Sequence, residues 1–378
     1  MNLEKFLKEV EEIVNIDSGS YDIEGLNKVA EWLVERYEKD GYYVQYTHQG
    51  EIQRPHIIAT TIDPQKFDEK EKPIDLMFIG HMDTVFPRGT VAERPFRIEN
   101  GKAYGPGAAD MKSGVLLALY VANALREQYP ELSIAMVINS DEELGSNDSA
   151  EVLKSFSKYV KFGIDMEPGR ISGNAVMARK GVCEYTIRIH GIASHAGNAP
   201  EKGASAIREM ARWIIDAESL NDRERGITIN AGVVKGGTTS NVVPEYAEVV
   251  LDVRFWNLED RDELERKFQT FAASPVVENV KVTVEKTSEF PPMKLLPETQ
   301  RMVDFMLEEA EKLGQSFSFE KSAGGSDASL VAGEGTPIID ACGPCGDYLH
   351  NEKEYFVIDT VEERYQTLLA TVKRLFDK

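Results

Sequence analysis

The stretch Ile74–Pro87, IDLMFIGHMDTVFP, reads as a buried strand that ends in an imidazole and a carboxylate two residues apart. In extended backbone, residues i and i+2 point to one face, so His81 and Asp83 are expected side by side at the strand's tip. A neutral imidazole whose far nitrogen donates to a carboxylate is how a metal-ligating histidine is usually held. A His–Asp hydrogen bond can also simply close a strand end, and this segment alone allows both readings. The neighbouring segments set the fold class. EGLNKVAEWLVERYEKDGY (24–42) and SGVLLALYVANALREQY (113–129) have helical spacing, whereas HIIATTI (56–62) and LSIAMVINS (132–140) are short and strand-like. Helices between short apolar strands predict a layered α/β sheet.

From about Gly181 the texture changes. VCEYTIRIHGI and YAEVVLDVRFW alternate with period two, and ASAIREMARWIIDAESL between them is helical, which predicts a smaller α+β unit. After SEFPPMK, the helical segments TQRMVDFMLEEAEKLG and TVEERYQTLLATVKRLF restore the first pattern, so the small unit reads as an insertion at 181–290 between 1–180 and 291–378. The charge run FDEKEKP (67–73) reads as a solvated loop. With 378 residues and 42% hydrophobic content the chain can bury a large core, and a net charge of −21 disfavours nucleic acid and anionic membrane as partners. The first residues, MNLEKFLKEVEEIVNI, space their apolar side chains as an amphipathic helix without a signal-peptide core, and no apolar run reaches membrane-spanning length. A cytoplasmic protein is expected, and Cys183, Cys342 and Cys345 fit a reducing compartment.

Further polar clusters follow apolar segments. In YGPGAADMKSG (104–114) the glycines permit an unusual backbone path, and Asp110 stands before a helix. A phosphate loop is excluded because Met111 stands where that pattern needs glycine; a plain helix cap and a metal-bridging carboxylate both remain. VINSDEELGS (137–146) ends a strand with Asp141, Glu142 and Glu143, either a solvated turn or acids that share a cation. FGIDMEPGR (162–170) offers Asp165 or Glu167, expected on one face, and YLHNEKEY (348–355) offers His350. Imidazoles and carboxylates without thiolates suit zinc, cobalt or manganese in an open catalytic site. Cys342-Gly-Pro-Cys345 has the spelling of a thioredoxin redox pair, but it lies late in a large chain rather than after an early strand. His48, His56 and His190 belong to no such cluster.

The ordered set HMDT, YGPGAADMKSG, DEELGS, EPG, SHAG and SNVVP resembles the family 20 metallopeptidases over essentially the whole chain. That resemblance implies a zinc-peptidase-like catalytic domain, a mixed sheet flanked by helices, with an inserted α+β lid through which the protein would form a homodimer. It implies two Zn2+ per subunit, with Co2+ or Mn2+ as substitutes. His81 and Glu167 would bind one ion, Glu143 and His350 the other, and Asp110 both. Asp83 would orient His81, Glu142 would be the catalytic base, and His195 would donate to the oxyanion. A cis Asp110–Met111 peptide is also implied. Glu167 is preferred to Asp165 because the family's ligand precedes a proline. Asn241 and Arg254 match residues that grip a substrate carboxylate, and Gly325 matches a pocket-lining loop, although its glycines also suit an ordinary turn. The family's further basic pocket residue has no clear counterpart in VEKTSEFPPMK. The implied activity is hydrolysis of a peptide or N-acyl bond in a small substrate with a free carboxylate. A glutamate carboxypeptidase comes first, a deacetylase or dipeptidase second, and a non-catalytic peptide-binding homologue is the alternative of another class.

Overall fold

The computed structural model describes residues 1–67 and 73–377, so most of the charge run expected as a loop lies outside the described residues. The chain divides into two compact units, Met1–Ala178 with Met293–Ser322 and Ser326–Lys378, and Arg179–Pro292 with Ala323–Gly325.

The first unit is built on a mixed six-stranded sheet. Its order is Tyr43–Gln49, Arg54–Thr60, Ile134–Asn139, Ile74–His81, Val160–Asp165 and Ile338–Ile339. The first two strands form an antiparallel hairpin, the second also meets Ile134–Asn139 antiparallel, and the remaining neighbours are parallel. The sequence reading passed over Tyr43–Gln49, because none of its residues is fully buried and its YVQYTHQ carries little apolar signal. Ile74–His81 is buried on nearly every residue, as a strand covered on both faces must be. The helices Ile23–Lys39, Ser113–Gln128, Pro297–Lys312 and Asp359–Phe376 contribute Leu26, Leu33, Leu117, Val121, Met306 and Leu368 to one continuous core with the sheet. The helix Ile23–Lys39 starts where Asp22 accepts a hydrogen bond from the Gly25 amide at 3.1 Å, satisfying one of the free donors of its first turn.

The second unit is a four-stranded antiparallel sheet in the order Thr228–Gly236, Tyr246–Phe255, Gly181–His190, Lys281–Phe290. The strand Tyr246–Phe255 alternates buried and half-buried residues throughout its length, the period-two signal of a sheet with one covered face. Helices Ala206–Glu218 and Leu258–Ala273 supply that cover, with Trp213 and Phe268 packed over Ile187, Val249 and Leu251. The helix Leu258–Ala273 and the strand Lys281–Phe290 were not read from the sequence: both are rich in charged residues and fully bury few of their side chains.

In the first unit, the parallel strands ending at His81, Asn139 and Asp165 run side by side, and the chain leaves Ile74–His81 towards neighbours on both sides. Such a switch point leaves a crevice at the carboxyl ends of the strands, where α/β proteins gather ligands. The start of helix Ser113–Gln128 is pressed against that crevice, since a Cβ on Gly114 would lie 2.0 Å from the Met166 carbonyl oxygen. Gly114→Ala should therefore push the helix off the strand end and cost about 1–3 kcal/mol, as overpacking does. An unchanged thermal midpoint would contradict that close approach.

Candidate active site

The crevice assembles imidazoles and carboxylates from distant parts of the chain. His81 closes its strand with its side chain 1% exposed, and its Nε2 lies 3.2 Å from Asp110 Oδ1 and 3.7 Å from Glu167 Oε1. The other oxygen of Asp110 lies 3.3 Å from His350 Nε2, which is also 3.1 Å from Glu143 Oε2. Two triads result, His81–Asp110–Glu167 and Asp110–Glu143–His350, each with its donor atoms within 4.8 Å of one another and both sharing Asp110.

Sheet register explains which acid of FGIDMEPGR joins the cluster. Asp165 stands level with Ile79, two residues short of His81, and the Met166 amide continues the ladder to the Ile79 carbonyl at 3.1 Å. Glu167 therefore comes level with His81, while Asp165 sits one step deeper and accepts the Ala328 amide at 3.1 Å. Asp165, the last residue of its strand, is taken up by that amide and stands outside the cluster.

Asp83 is a hub rather than a simple partner of one ring. Its carboxylate lies 3.3 Å from His81 Nδ1, accepts the Ser20 hydroxyl at 2.7 Å, and receives the Glu142 and Glu143 amides at 3.3 Å each. It thereby ties the strand tip to the acidic turn. Within that turn, Asp141 faces inward and accepts the Asp148 and Ser149 amides, so Glu142 and Glu143 alone remain for the crevice.

Three buried supports were not recognised in the sequence. Glu354 accepts the amides of Gly107, Ala109 and Asp110 at 3.1, 2.8 and 3.0 Å, cradling the loop that carries the shared carboxylate. The Asp110–Met111 peptide in that loop is cis. Lys112 donates to the Ile13 and Ile16 carbonyls at 3.1 and 2.8 Å, docking the same loop on the end of helix Leu3–Val14. Asp327 accepts Asn139 and Ser146, each at 2.5 Å, behind the acidic turn. The only available sequence cue was spacing: Lys112 and Glu354 stand two and four residues after proposed ligands.

The Cys342–Cys345 loop also serves this framework. Both thiols are free and buried, and burial pushes the Cys342 thiol well above its ordinary pKa, the opposite of a redox-active pair. The loop's Gly343 amide instead donates to the Glu167 carbonyl at 2.9 Å, and the Gly169 amide donates to the Pro344 carbonyl at 3.1 Å. It therefore fixes the segment bearing Glu167 and leads on to His350. Of the three histidines outside the clusters, His48 reaches Asn27 at 3.1 Å, and His190 lies on a strand beside Tyr246. His56 is buried with both ring nitrogens unpartnered, and burial lowers its pKa to about 4.

Electrostatics follow from crowding acids where water is excluded. Burial opposes charge on His81, but hydrogen bonds to Asp110 and Asp83 and the Glu167 charge override it and raise its pKa well above the ordinary value. Hydrogen bonds to Asp110 and Glu143 raise His350 to about 10. Burial and the Glu167 charge push Glu142 well up, and burial also raises Glu143. A set of nitrogen and oxygen donors whose charges are held together by extra protons is a set that divalent cations can bind in place of those protons.

The remaining predicted residues lie in the second unit. His195 pairs with Val242 in a short two-stranded ladder, and the Ala196 amide donates to the Asn241 carbonyl at 2.9 Å. His195 Nδ1 accepts the Gly197 and Asn198 amides at 3.1 and 3.0 Å, which leaves the ring proton on an exposed Nε2. Arg254 is engaged: its fork meets both Asp252 oxygens at 2.8 and 2.9 Å, and Nη1 donates to the Ala323 carbonyl at 2.7 Å. Gly325 stands in that same loop, where its carbonyl accepts from Arg179 at 3.4 Å. Lys180, also missed in the sequence, has its pKa lowered by burial and by the Arg254 charge, and no carboxylate pairs with it among the described residues.

The chain resembles known proteins over most of its length. The family model described as Peptidase family M20/M25/M40 matches residues 77–374. Carboxypeptidase G2 of Pseudomonas sp. (strain RS-16) is 28% identical over 365 residues, covering 95% of this chain and 86% of that protein. Succinyl-diaminopimelate desuccinylase of Methylobacillus flagellatus is 24% identical over 367 residues, covering 91% and 93%. Among solved structures, aminopeptidase PepT from Bacillus cereus superposes with a TM-score of 0.75 at 23% identity over 100% of both chains. The M20 family metallo-carboxypeptidase Sso-CP2 from Sulfolobus solfataricus does so with 0.73 at 19% identity, covering 97% and 98%.

Burial raises the Asp327 carboxyl from 3.8 to about 7, so the folded chain keeps a proton that the unfolded chain releases. Its contribution to stability is fully present below pH 3.8 and is lost as the pH climbs to about 7. Asp327→Asn should remove that slope and gain thermal stability relative to the parent between those limits; a pH-independent difference between the two melting curves would refute it.

Proposed function

Because the chain belongs to peptidase family M20/M25/M40, hydrolases of peptidase and deacetylase type, we propose that it is a dinuclear zinc hydrolase of an amide bond. Its substrate is a small peptide or N-acyl amino acid with a free carboxylate, and glutamate-releasing carboxypeptidase activity is the first choice. The observation that carries this reading is the pair of donor triads sharing Asp110. His81 and Glu167 would hold one ion, Glu143 and His350 the other, and Asp110 both. The bound ions supply Lewis acidity towards the scissile carbonyl and lower the pKa of water, and cobalt or manganese can stand in for zinc.

The chain's own residues supply the rest. Glu142, as the carboxylate, would take a proton from the attacking water and return it to the leaving nitrogen. Asp83 keeps the His81 ring in place through Nδ1. His195, with Nδ1 accepting two backbone amides, presents its Nε2–H as the donor to a developing oxyanion. Asn241, Arg254 and Lys180 recognise the substrate carboxylate, with Arg254 giving up part of its fork to Asp252 for the incoming group. The Gly325 loop is tied to that arginine through Ala323 and belongs to the same recognition element. The desuccinylase among the relatives favours N-acyl amino acid deacylation as the second reading, since it needs the same site and differs in the acyl group.

A panel of N-acyl amino acids and dipeptides ending in Glu, Asp, Arg or Leu discriminates these substrates. Chelation should abolish turnover, and zinc or cobalt should restore it. Glu142→Ala should lower kcat by roughly 10²–10⁴ while bound metal stays unchanged. Arg254→Ala should chiefly raise KM. Turnover that survives chelation, or wild-type kcat in Glu142→Ala, ends the proposal. We also assign a homodimer to this protein, paired through the outer strand Thr228–Gly236, where Val233 and Val234 are 48% and 54% exposed. Sedimentation should give twice the chain mass and Val234→Lys the single mass; a monomeric parent protein refutes the pairing.

A further inference from the structure

The acidic turn that carries Glu142 and Glu143 is held near its start by Asp83, which accepts both of their amides. Its far end folds back on itself. The Ser146 amide donates to the Asp141 carbonyl at 2.9 Å, and the Asp148 amide returns to the Asp141 carboxylate at 2.6 Å. The Asp148 side chain is then met by the hairpin of Tyr43–Gln49 and Arg54–Thr60, where Nη1 of the buried Arg54 lies 2.5 Å from Asp148 Oδ2. A Cβ on Gly50, in the hairpin's bend, would lie 2.2 Å from the same carboxylate, so the hairpin confines Asp148 from more than one side.

Arg54 has a second partner. Its Nε donates to the Ser20 carbonyl at 3.2 Å, while the Ser20 hydroxyl donates to Asp83 at 2.7 Å. A closed ring of contacts results: Asp83 to Ser20, Ser20 to Arg54, Arg54 to Asp148, and back along the turn to the Glu142 and Glu143 amides on Asp83. The Ser140 hydroxyl donates to the Pro55 carbonyl at 2.8 Å and fixes the entry of the turn on the same strand. Asp83, Asp141 and Asp148 crowd this side of the turn, and Arg54 is the cation paired with the outermost of them. His56, two residues along the strand, brings no charge, because burial lowers its pKa to about 4. A planar guanidinium bonds a carbonyl and a carboxylate at once in fixed directions, which an ammonium cannot do.

Resting on the dinuclear reading above, we propose that Arg54 is a positioning residue: through Asp148 and Ser20 it fixes where the turn places Glu142 against the attacking water and Glu143 against its ion. Its bonds go to Ser20 and Asp148 rather than to either acid, so it acts through the backbone of the turn. Glu167 is fixed separately, by the Cys342–Cys345 loop. Loss of the guanidinium should therefore loosen the ion that needs Glu143 and spare the one held by His81 and Glu167.

The test is a zinc titration of the full chain against a chromophoric chelator, with kinetics in excess zinc on the best substrate of the panel above. In Arg54→Met the affinity for one of the two ions should fall by about 10–100-fold, the effect of removing a group that orients a ligand, while the other ion binds as in the parent. In excess zinc, kcat should fall by roughly 10–100-fold with KM unchanged, since misplacing a reacting group by an ångström costs up to about 10²-fold. Asp148→Asn keeps the size of its side chain and should show the same pattern in milder form; with a melting curve to show that it is folded, it carries the comparison should Arg54→Met fail to fold. The double variant should be no worse than Arg54→Met alone, because the two residues act as one unit. Parent values for both ions and for kcat in the single variants, equal weakening of both ions, or additive losses in the double variant overturn the assignment and leave the dinuclear reading standing. A parent protein that binds fewer than two zinc ions, or hydrolyses nothing in the panel, overturns that reading and this inference with it.

Discussion

The structure depends on one carboxylate whose two oxygens face two imidazoles. Asp110 lies 3.2 Å from His81 and 3.3 Å from His350, and Glu167 and Glu143 approach the same nitrogens of those rings. Acids this close in a water-poor crevice repel one another, and positive charge between them is what makes their burial tolerable. Everything around Asp110 restricts its freedom to escape. Glu354 gathers three amides of its loop, and Lys112 pins that loop to the first helix. Two buried ionisable side chains are committed to placing a third, an arrangement that sacrifices stability for position.

Parallel strands make that convergence possible. His81, the acidic turn after Asn139 and Glu167 after Asp165 emerge at one edge because Ile74–His81 lies between the other two strands in register. Asp83 then couples the emerging segments, linking His81 to the amides of Glu142 and Glu143 and to Ser20. The Cys342–Cys345 loop performs the same service for Glu167 from the opposite side. Tight packing leaves little slack: Gly114 and Gly343 both approach the Met166 carbonyl closer than a side chain would permit.

The donor cluster belongs to the first unit, whereas the cations Lys180 and Arg254 and the loop of Gly325 belong to the second. A shared fold leaves the substrate open, because fold and substrate choice vary independently. That independence accords with the variety of peptidases and deacylating enzymes among the chain's relatives.

By itself the sequence determined the fold class and picked out the clusters from which the two donor triads are drawn. Apolar runs ending in HMD, DEEL and MEPG carry their own meaning, because strand periodicity and the crowding of acids are local properties. The strand Tyr43–Gln49, the helix Leu258–Ala273 and the strand Lys281–Phe290 were illegible for the converse reason: their stability comes from pairing and packing with distant segments, and their compositions are polar. Tertiary structure alone decided that Asp165 turns to the Ala328 amide while Glu167 meets His81, since that choice depends on register against a neighbouring strand. It alone showed Glu354, Lys112 and Asp327 as supports, Arg254 already paired with Asp252, and the Cys342–Cys345 motif as a buttress. Each of those roles exists only where segments remote in the chain meet, and no pattern within a single segment encodes the partner it will find.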